Sequence, residues 1–157
     1  MKENELRRAY KVFCEQLEPR VMITLATNQA WNIAKMTDLI EEFFGRLDRK
    51  GLGHTYNKAP PSARADGIFF IEKPDLNVHA HGLVTMPYGN DWGTQMIASL
   101  LWEKLCPGGS VDVQHIHSIE GAVHYCTKEM VSPHYQTEQV VLLRGLMSRK
   151  SLEARTN

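Results

Sequence analysis

Apolar residues recur at helical spacing near the start of the chain. Leu6, Tyr10, Phe13 and Leu17 fall three or four apart and predict a helix over residues 3–18. Pro19 stops that run. Arg20 to Thr27 (RVMITLAT) is a compact apolar and β-branched stretch, the signature of a buried strand. Trp31 to Lys50 predicts a long amphipathic helix, with Ile33, Met36, Leu39, Ile40, Phe43, Phe44 and Leu47 on its inner face and Gly51 and Gly53 ending it. Gly53 to Asn57 predicts the start of a short strand. Asn57 to Asp66 (NKAPPSARAD) follows as an irregular insert, because paired prolines and small polar residues interrupt regular structure.

Gly67 to Lys73 (GIFFIEK) and Asn77 to Met86 (NVHAHGLVTM) read as two strands joined by a Pro-Asp turn. A second amphipathic helix is expected over Trp92 to Leu105, closed by Cys-Pro-Gly-Gly, then a strand over Ser110 to His117 and a helix over Ile119 to Val131. Helices interleaved with hairpin strands in this order imply an α+β class, an antiparallel sheet with helices packed on it. The organisation expected is an N-terminal helix over 1–19, a main domain over 20–147 and a loosely held polar tail over 148–157.

Composition narrows the class without naming a function. The 157 residues suffice for one domain with a real core, and 43% hydrophobic content is ordinary for a globular chain. Formal net charge is zero, which argues against tight, non-specific nucleic-acid binding but leaves a local basic face open. A bound divalent cation would add charge that a side-chain sum omits. Cys14, Cys106 and Cys126 are too sparse for a disulfide framework or a cysteine zinc site, and reduced thiols imply a cytoplasmic location. The N-terminus is charged and lacks an apolar signal core. No stretch reaches the roughly 20 apolar residues of a membrane span.

Two groups of residues can carry chemistry. His79 and His81 are two apart in a predicted strand, so both imidazoles leave the same face and offer a platform for a divalent metal. Alone, such a pair reads more readily as two exposed histidines. Glu72 adds weight: it lies near the end of the preceding strand, seven positions before His79, where a hairpin brings it beside the pair. One carboxylate and two imidazoles leave coordination positions open, as in catalytic rather than structural metal sites. The alternative is a surface charge next to Lys73.

The second group is Tyr125 and Lys128, which share a helix face at a spacing of three. A phenol with a free pKa of about 10 is a poor nucleophile until a cation favours the phenoxide. A half-buried tyrosine beside a solvated lysine explains the pair as well. His115 and His117 form a second pair of the same spacing, with Asp112 on the same strand. His124 and Cys126 flank Tyr125 but point to other helix faces. Arg46, Arg49, Lys50, Lys58 and Arg64 are basic, and Trp31 and Tyr56 are aromatic, without being assignable to a ligand.

In their order, the strand MITLAT (Met22 to Thr27), HAHG (His79 to Gly82) and YCTK (Tyr125 to Lys128) resemble the HUH endonucleases, specifically the single-tyrosine initiators of rolling-circle replication. The likeness covers about Arg20 to Val131. It implies a five-stranded antiparallel sheet flanked by helices, of the ferredoxin or RNA-recognition type. It further implies Mg²⁺ or Mn²⁺ held by Glu72, His79 and His81, Tyr125 as nucleophile, and Lys128 positioning the tyrosine or a metal-bound water. The expected partner is single-stranded DNA at a replication origin, with a host helicase and polymerase, no membrane and no small-molecule cofactor. A transposase or relaxase shares this chemistry. A non-catalytic nucleic-acid-binding module and a phosphoesterase that activates water are the readings of other classes.

Overall fold

The computed structural model describes residues 3–88 and 92–143. Helix α1 (Glu3–Leu17) leads into strand β1 (Val21–Ala26), and helix α2 (Ile33–Leu52) follows. Strands β2 (Asp66–Glu72) and β3 (His79–Thr85) form a hairpin. Helix α3 (Trp92–Leu105), strand β4 (Ser110–His115), helix α4 (Ile119–Cys126) and strand β5 (Val140–Leu142) complete the chain. The sheet is five-stranded in the order β4-β1-β3-β2-β5, with every pairing antiparallel. The expected α+β class and five-stranded sheet are therefore present.

Alternation along the strands builds a three-layer core. Val21, Ile23, Leu25, Phe69, Ile71, Ala80 and Val84 face α2 and α3, where Phe43, Phe44 and Trp102 fill the interior. Ile68, Phe70 and Leu83 face the other way and meet Cys14 of α1 with Val123 and Cys126 of α4. Strand β2 is buried along its whole length, which explains its continuous apolar run. Edge strand β4 is protected differently. The Gln95 side chain of α3 accepts from the Val113 N–H and donates to the Val111 carbonyl, engaging groups that would invite another strand.

Several expectations need correction. Gly51 does not end α2, which runs to Leu52. The turn comes at Gly53, whose φ of 88° suits glycine. Gly51 instead leaves room for the Tyr88 ring, since a Cβ there would lie 2.3 Å from Tyr88 Cδ2. No strand starts at Gly53. Local bonds from Tyr56 N to Gly53 O and Lys58 N to Thr55 O wind a 3-10 turn over Tyr56–Lys58, and a second turn follows at Pro61–Ala63. The fifth strand is β5, three residues long and too short to show a period; Gln139 Nε2 anchors its approach by donating to Ile71 O.

Helix α4 also stops at Cys126 rather than Val131. Thr127 sits at φ −101°, ψ 9°, and its hydroxyl donates back to Val123 O, so the chain tightens into a 3-10 turn over Lys128–Val131. The boundary expected at residue 147 and the tail over 148–157 lie outside the described residues.

Candidate functional site

Hairpin register decides the first half of the site. Glu72 is the direct cross-strand partner of His79, and Phe70 that of His81. On the other side of β3, β1 places Thr24 opposite His81 and Ala26 opposite His79. These side chains leave the face that α1 and α4 cover. The connecting turn is tight, with left-handed backbone at Lys73 (φ 50°) and Asp75 (φ 64°). Leu76 N and Asn77 N both bond to Lys73 O, and Asp75 N bonds to Trp31 O, which ties the turn to the start of α2.

Glu72 is 1% exposed and His81 4%. Both imidazole Nε2 atoms face one carboxylate oxygen: His79 at 2.8 Å and His81 at 3.5 Å from Glu72 Oε2. The donor atoms of the three residues lie within 4.8 Å of one another, and the group could hold a metal ion. Burial alone would push the Glu72 carboxyl up. Hydrogen bonds from His79 and His81, and the charges of His81 and Lys128, outweigh burial and hold it at about 2. The Glu72 hydrogen bond in turn raises His79 above its ordinary value, against the opposing effect of burial.

The outer ring nitrogens are engaged as well. His79 Nδ1 lies 3.0 Å from Asn77 O, and His81 Nδ1 lies 2.9 Å from Thr24 Oγ1. Metal-binding histidines are characteristically held in this way, by a partner on the nitrogen that does not face the ion. The other carboxylate oxygen, Glu72 Oε1, is buried and accepts no hydrogen bond, with only the Lys128 ammonium near it at 3.6 Å. A buried anionic oxygen without a hydrogen bond keeps lone pairs free that a cation could use. The donor set and the free lone pairs of this oxygen fit a divalent metal.

Tyr125 and Lys128 join the same site from the other layer. The Tyr125 ring packs 5.0 Å from the His81 ring, nearly edge-on, and the residue stays 45% exposed. Lys128 Nζ stands 3.9 Å from the Tyr125 ring centroid and 3.6 Å from Glu72 Oε1. The two do approach one point, but through the helix break at Thr127 rather than along one helical face. Helix α1 supports that break: Arg7 donates to Thr127 O at 3.3 Å, and Lys11 pairs with Glu120 of α4 at 3.5 Å.

Other residues singled out in the sequence fall elsewhere. His115 and His117 are exposed at and beyond the end of β4, and Asp112 accepts from Gln114. Among the described residues, they form no cluster of three metal donors. Cys126 is buried, and burial pushes its thiol up to about 12, which makes it unreactive. His124 is exposed. Arg64 turns inward to Asp48, at 3.6 Å, with its charge spent inside the protein. Arg46 pairs with Glu42 on the same helix. Lys35 lies over the Trp31 ring and Arg64 over the Tyr56 ring. Sequence reading passed over Thr24 as a site residue, although it lies in the MITLAT strand. Its even position put it on the same face as Met22, but only pairing with β3 could reveal His81 beside it.

No family profile, no curated protein and no solved structure matches the chain. Among the described residues no helix is long and apolar enough to cross a membrane.

Proposed function

We propose that the chain is a metal-dependent, single-tyrosine nuclease that nicks and rejoins single-stranded DNA, in the manner of the HUH initiators of rolling-circle replication. The observation that carries this reading is the exposed Tyr125 ring lying 5.0 Å from the His81 ring, against a cluster of Glu72, His79 and His81 able to hold a cation. A nucleophile, a cation site and an ammonium group share one surface. An exposed phenol suits a macromolecular substrate better than an enclosed one.

Glu72, His79 and His81 would hold Mn²⁺ or Mg²⁺, which when bound draws negative charge from a non-bridging phosphate oxygen. Tyr125 supplies its phenolic oxygen, which attacks phosphorus in line. The bond to the 3′-oxygen breaks as the phosphotyrosine bond forms. The DNA 5′ end is left on Tyr125, the phenolic proton passes to solvent, and the departing 3′-oxygen takes up a proton. Lys128 places positive charge over the Tyr125 ring, where it can help position the tyrosine and meet the negative charge of the phosphate. The phosphotyrosine conserves the energy of the cleaved linkage, so a later 3′-hydroxyl can reverse the step and release the protein. The substrate has to be single-stranded or extruded for its phosphate to reach residues lying on the sheet.

An origin of replication, with a host helicase and polymerase, is the setting in which such a nick primes synthesis. Transposases and relaxases use the same step in a different setting. The test is incubation of labelled single-stranded DNA pools with Mn²⁺ and wild type, Tyr125→Phe or His81→Ala. A covalent protein–DNA adduct with wild type alone is the expected result. Cleavage without an adduct would point to activated water, and binding without cleavage to a non-catalytic module.

A further inference from the structure

His79 and His81 are oriented by different kinds of group. His79 Nδ1 faces a backbone carbonyl, that of Asn77, which can only accept. His81 Nδ1 faces the Thr24 hydroxyl at 2.9 Å, and a hydroxyl both accepts and donates. Thr24 is half-buried on β1, directly across the ladder from His81, so β-sheet register fixes the contact rather than a mobile loop.

We infer that Thr24 is the positioning residue for His81, holding the imidazole with Nε2 aimed at the cation site in both the empty and the loaded state. The inference rests on the metal-binding reading of the cluster and not on the nicking reaction. With the site empty, Nε2 faces Glu72 Oε2, 3.5 Å away, and Nδ1 lies 2.9 Å from the Thr24 hydroxyl, which can partner either tautomer of the ring. A cation held by His81 would take the Nε2 lone pair, which leaves the ring proton on Nδ1 with the Thr24 oxygen as its acceptor. Rotation of one hydroxyl preserves the hydrogen bond throughout. No neighbouring turn has to shift, and the 4% exposed ring never carries an unpartnered nitrogen.

A merely structural threonine would behave differently. At a half-buried strand position, valine matches the shape of threonine and has comparable strand propensity. Thr24→Val therefore keeps the fold while removing both hydrogen-bonding roles, and Thr24→Ser keeps both. Mn²⁺ titration by calorimetry, with melting temperatures taken in EDTA, separates the cases. The expected result is an affinity about 10- to 100-fold weaker in Thr24→Val. Thr24→Ser stays close to wild type, and metal-free melting is unchanged or raised in Thr24→Val. Equal Mn²⁺ affinity in wild type and Thr24→Val would overturn the positioning role alone. No Mn²⁺ binding by wild type would overturn the metal reading with it. Should Thr24→Val fail to fold, long-range ¹H–¹⁵N spectra of wild type saturated with Mg²⁺ decide instead. A His81 Nδ1 proton protected from solvent exchange by its hydrogen bond supports the inference, and one that exchanges as fast as a free imidazole proton overturns it.

Discussion

The Lys128 ammonium stands 3.9 Å from the centre of the Tyr125 ring and, with the same nitrogen, 3.6 Å from Glu72 Oε1. One cation therefore serves both the candidate nucleophile and the candidate metal ligand, and its two roles oppose each other. Over the Tyr125 ring it offers positive charge to an approaching phosphate; beside Glu72 it repels an incoming dication. Lys128→Ala should bind Mn²⁺ several-fold more tightly, as expected for removing a like charge at this range. The same variant should form the DNA adduct more slowly. Calorimetry and adduct kinetics on one preparation check the two signs, and a loss of both properties would mean that Lys128 mainly holds the structure together.

The cluster gives stability and metal affinity opposite pH trends. Glu72 has its folded pKa lowered from 4.5 to about 2. Its contribution to stability is thus complete above pH 4.5 and is lost as pH falls through about 2. His79 has its folded pKa raised above 6.5, so its contribution is complete below pH 6.5 and fades as pH rises through the folded value. For the metal-free protein, these two groups favour the window between 4.5 and 6.5. Metal binding needs neutral imidazoles and so strengthens above that window. His79 Nδ1 and Nε2 both face acceptors, which favours the protonated ring when empty, so loading the site below the raised folded pKa should release a proton. Calorimetric titrations in two buffers of different ionisation enthalpy measure the release directly.

Gly82 completes the HAHG sequence for a reason of packing. The Phe69 ring crosses it so closely that an added Cβ would lie 2.2 Å from Phe69 Cε1. Gly82→Ala should destabilise the fold by about 1–3 kcal/mol, the usual cost of overpacking a filled core. Gly82 faces away from the cluster, so Mn²⁺ affinity in the folded fraction should stay near wild type. Urea unfolding and calorimetry test the two halves separately.

Asp48 is fully buried on α2 and holds the insert. Its Oδ1 accepts from Ala65 N at 2.9 Å and from the Tyr88 hydroxyl at 2.7 Å, and Arg64 lies 3.6 Å from Oδ2. Burial raises its pKa, and these partners partly offset the rise. Asp48→Ala would leave Arg64 without its counter-charge at a site where its side chain is 14% exposed, at a cost of about 3 kcal/mol. Trypsin should then cut faster at Lys58, which is exposed in the neighbouring turn, and a mass-resolved digest reads this out.

Much of this architecture is written in local pattern. The 3.6-residue period of Met36, Ile40, Phe43 and Leu47 forces α2 to bury one stripe. Strand alternation alone sends His79 and His81 to the same side. The short hairpin adds Glu72, because a turn of fixed length sets the register between consecutive strands. What the chain could not reveal locally is which distant strands and helices become neighbours. Thr24 reaches His81 only because β1 inserts between β3 and β4. Tyr125 reaches the cluster only because α4 packs on that face of the sheet. Arg64 looks like a surface charge until Asp48, buried on another element, captures it. Helix α4 reads as continuous until Thr127 bonds back to Val123 and bends Lys128 over the tyrosine. Backbone geometry fixes the direction of a side chain within its own element, so sequence determined the face that carries the candidate ligands. Partners across non-consecutive elements depend on global pairing and packing, so tertiary structure alone decided how that face is completed.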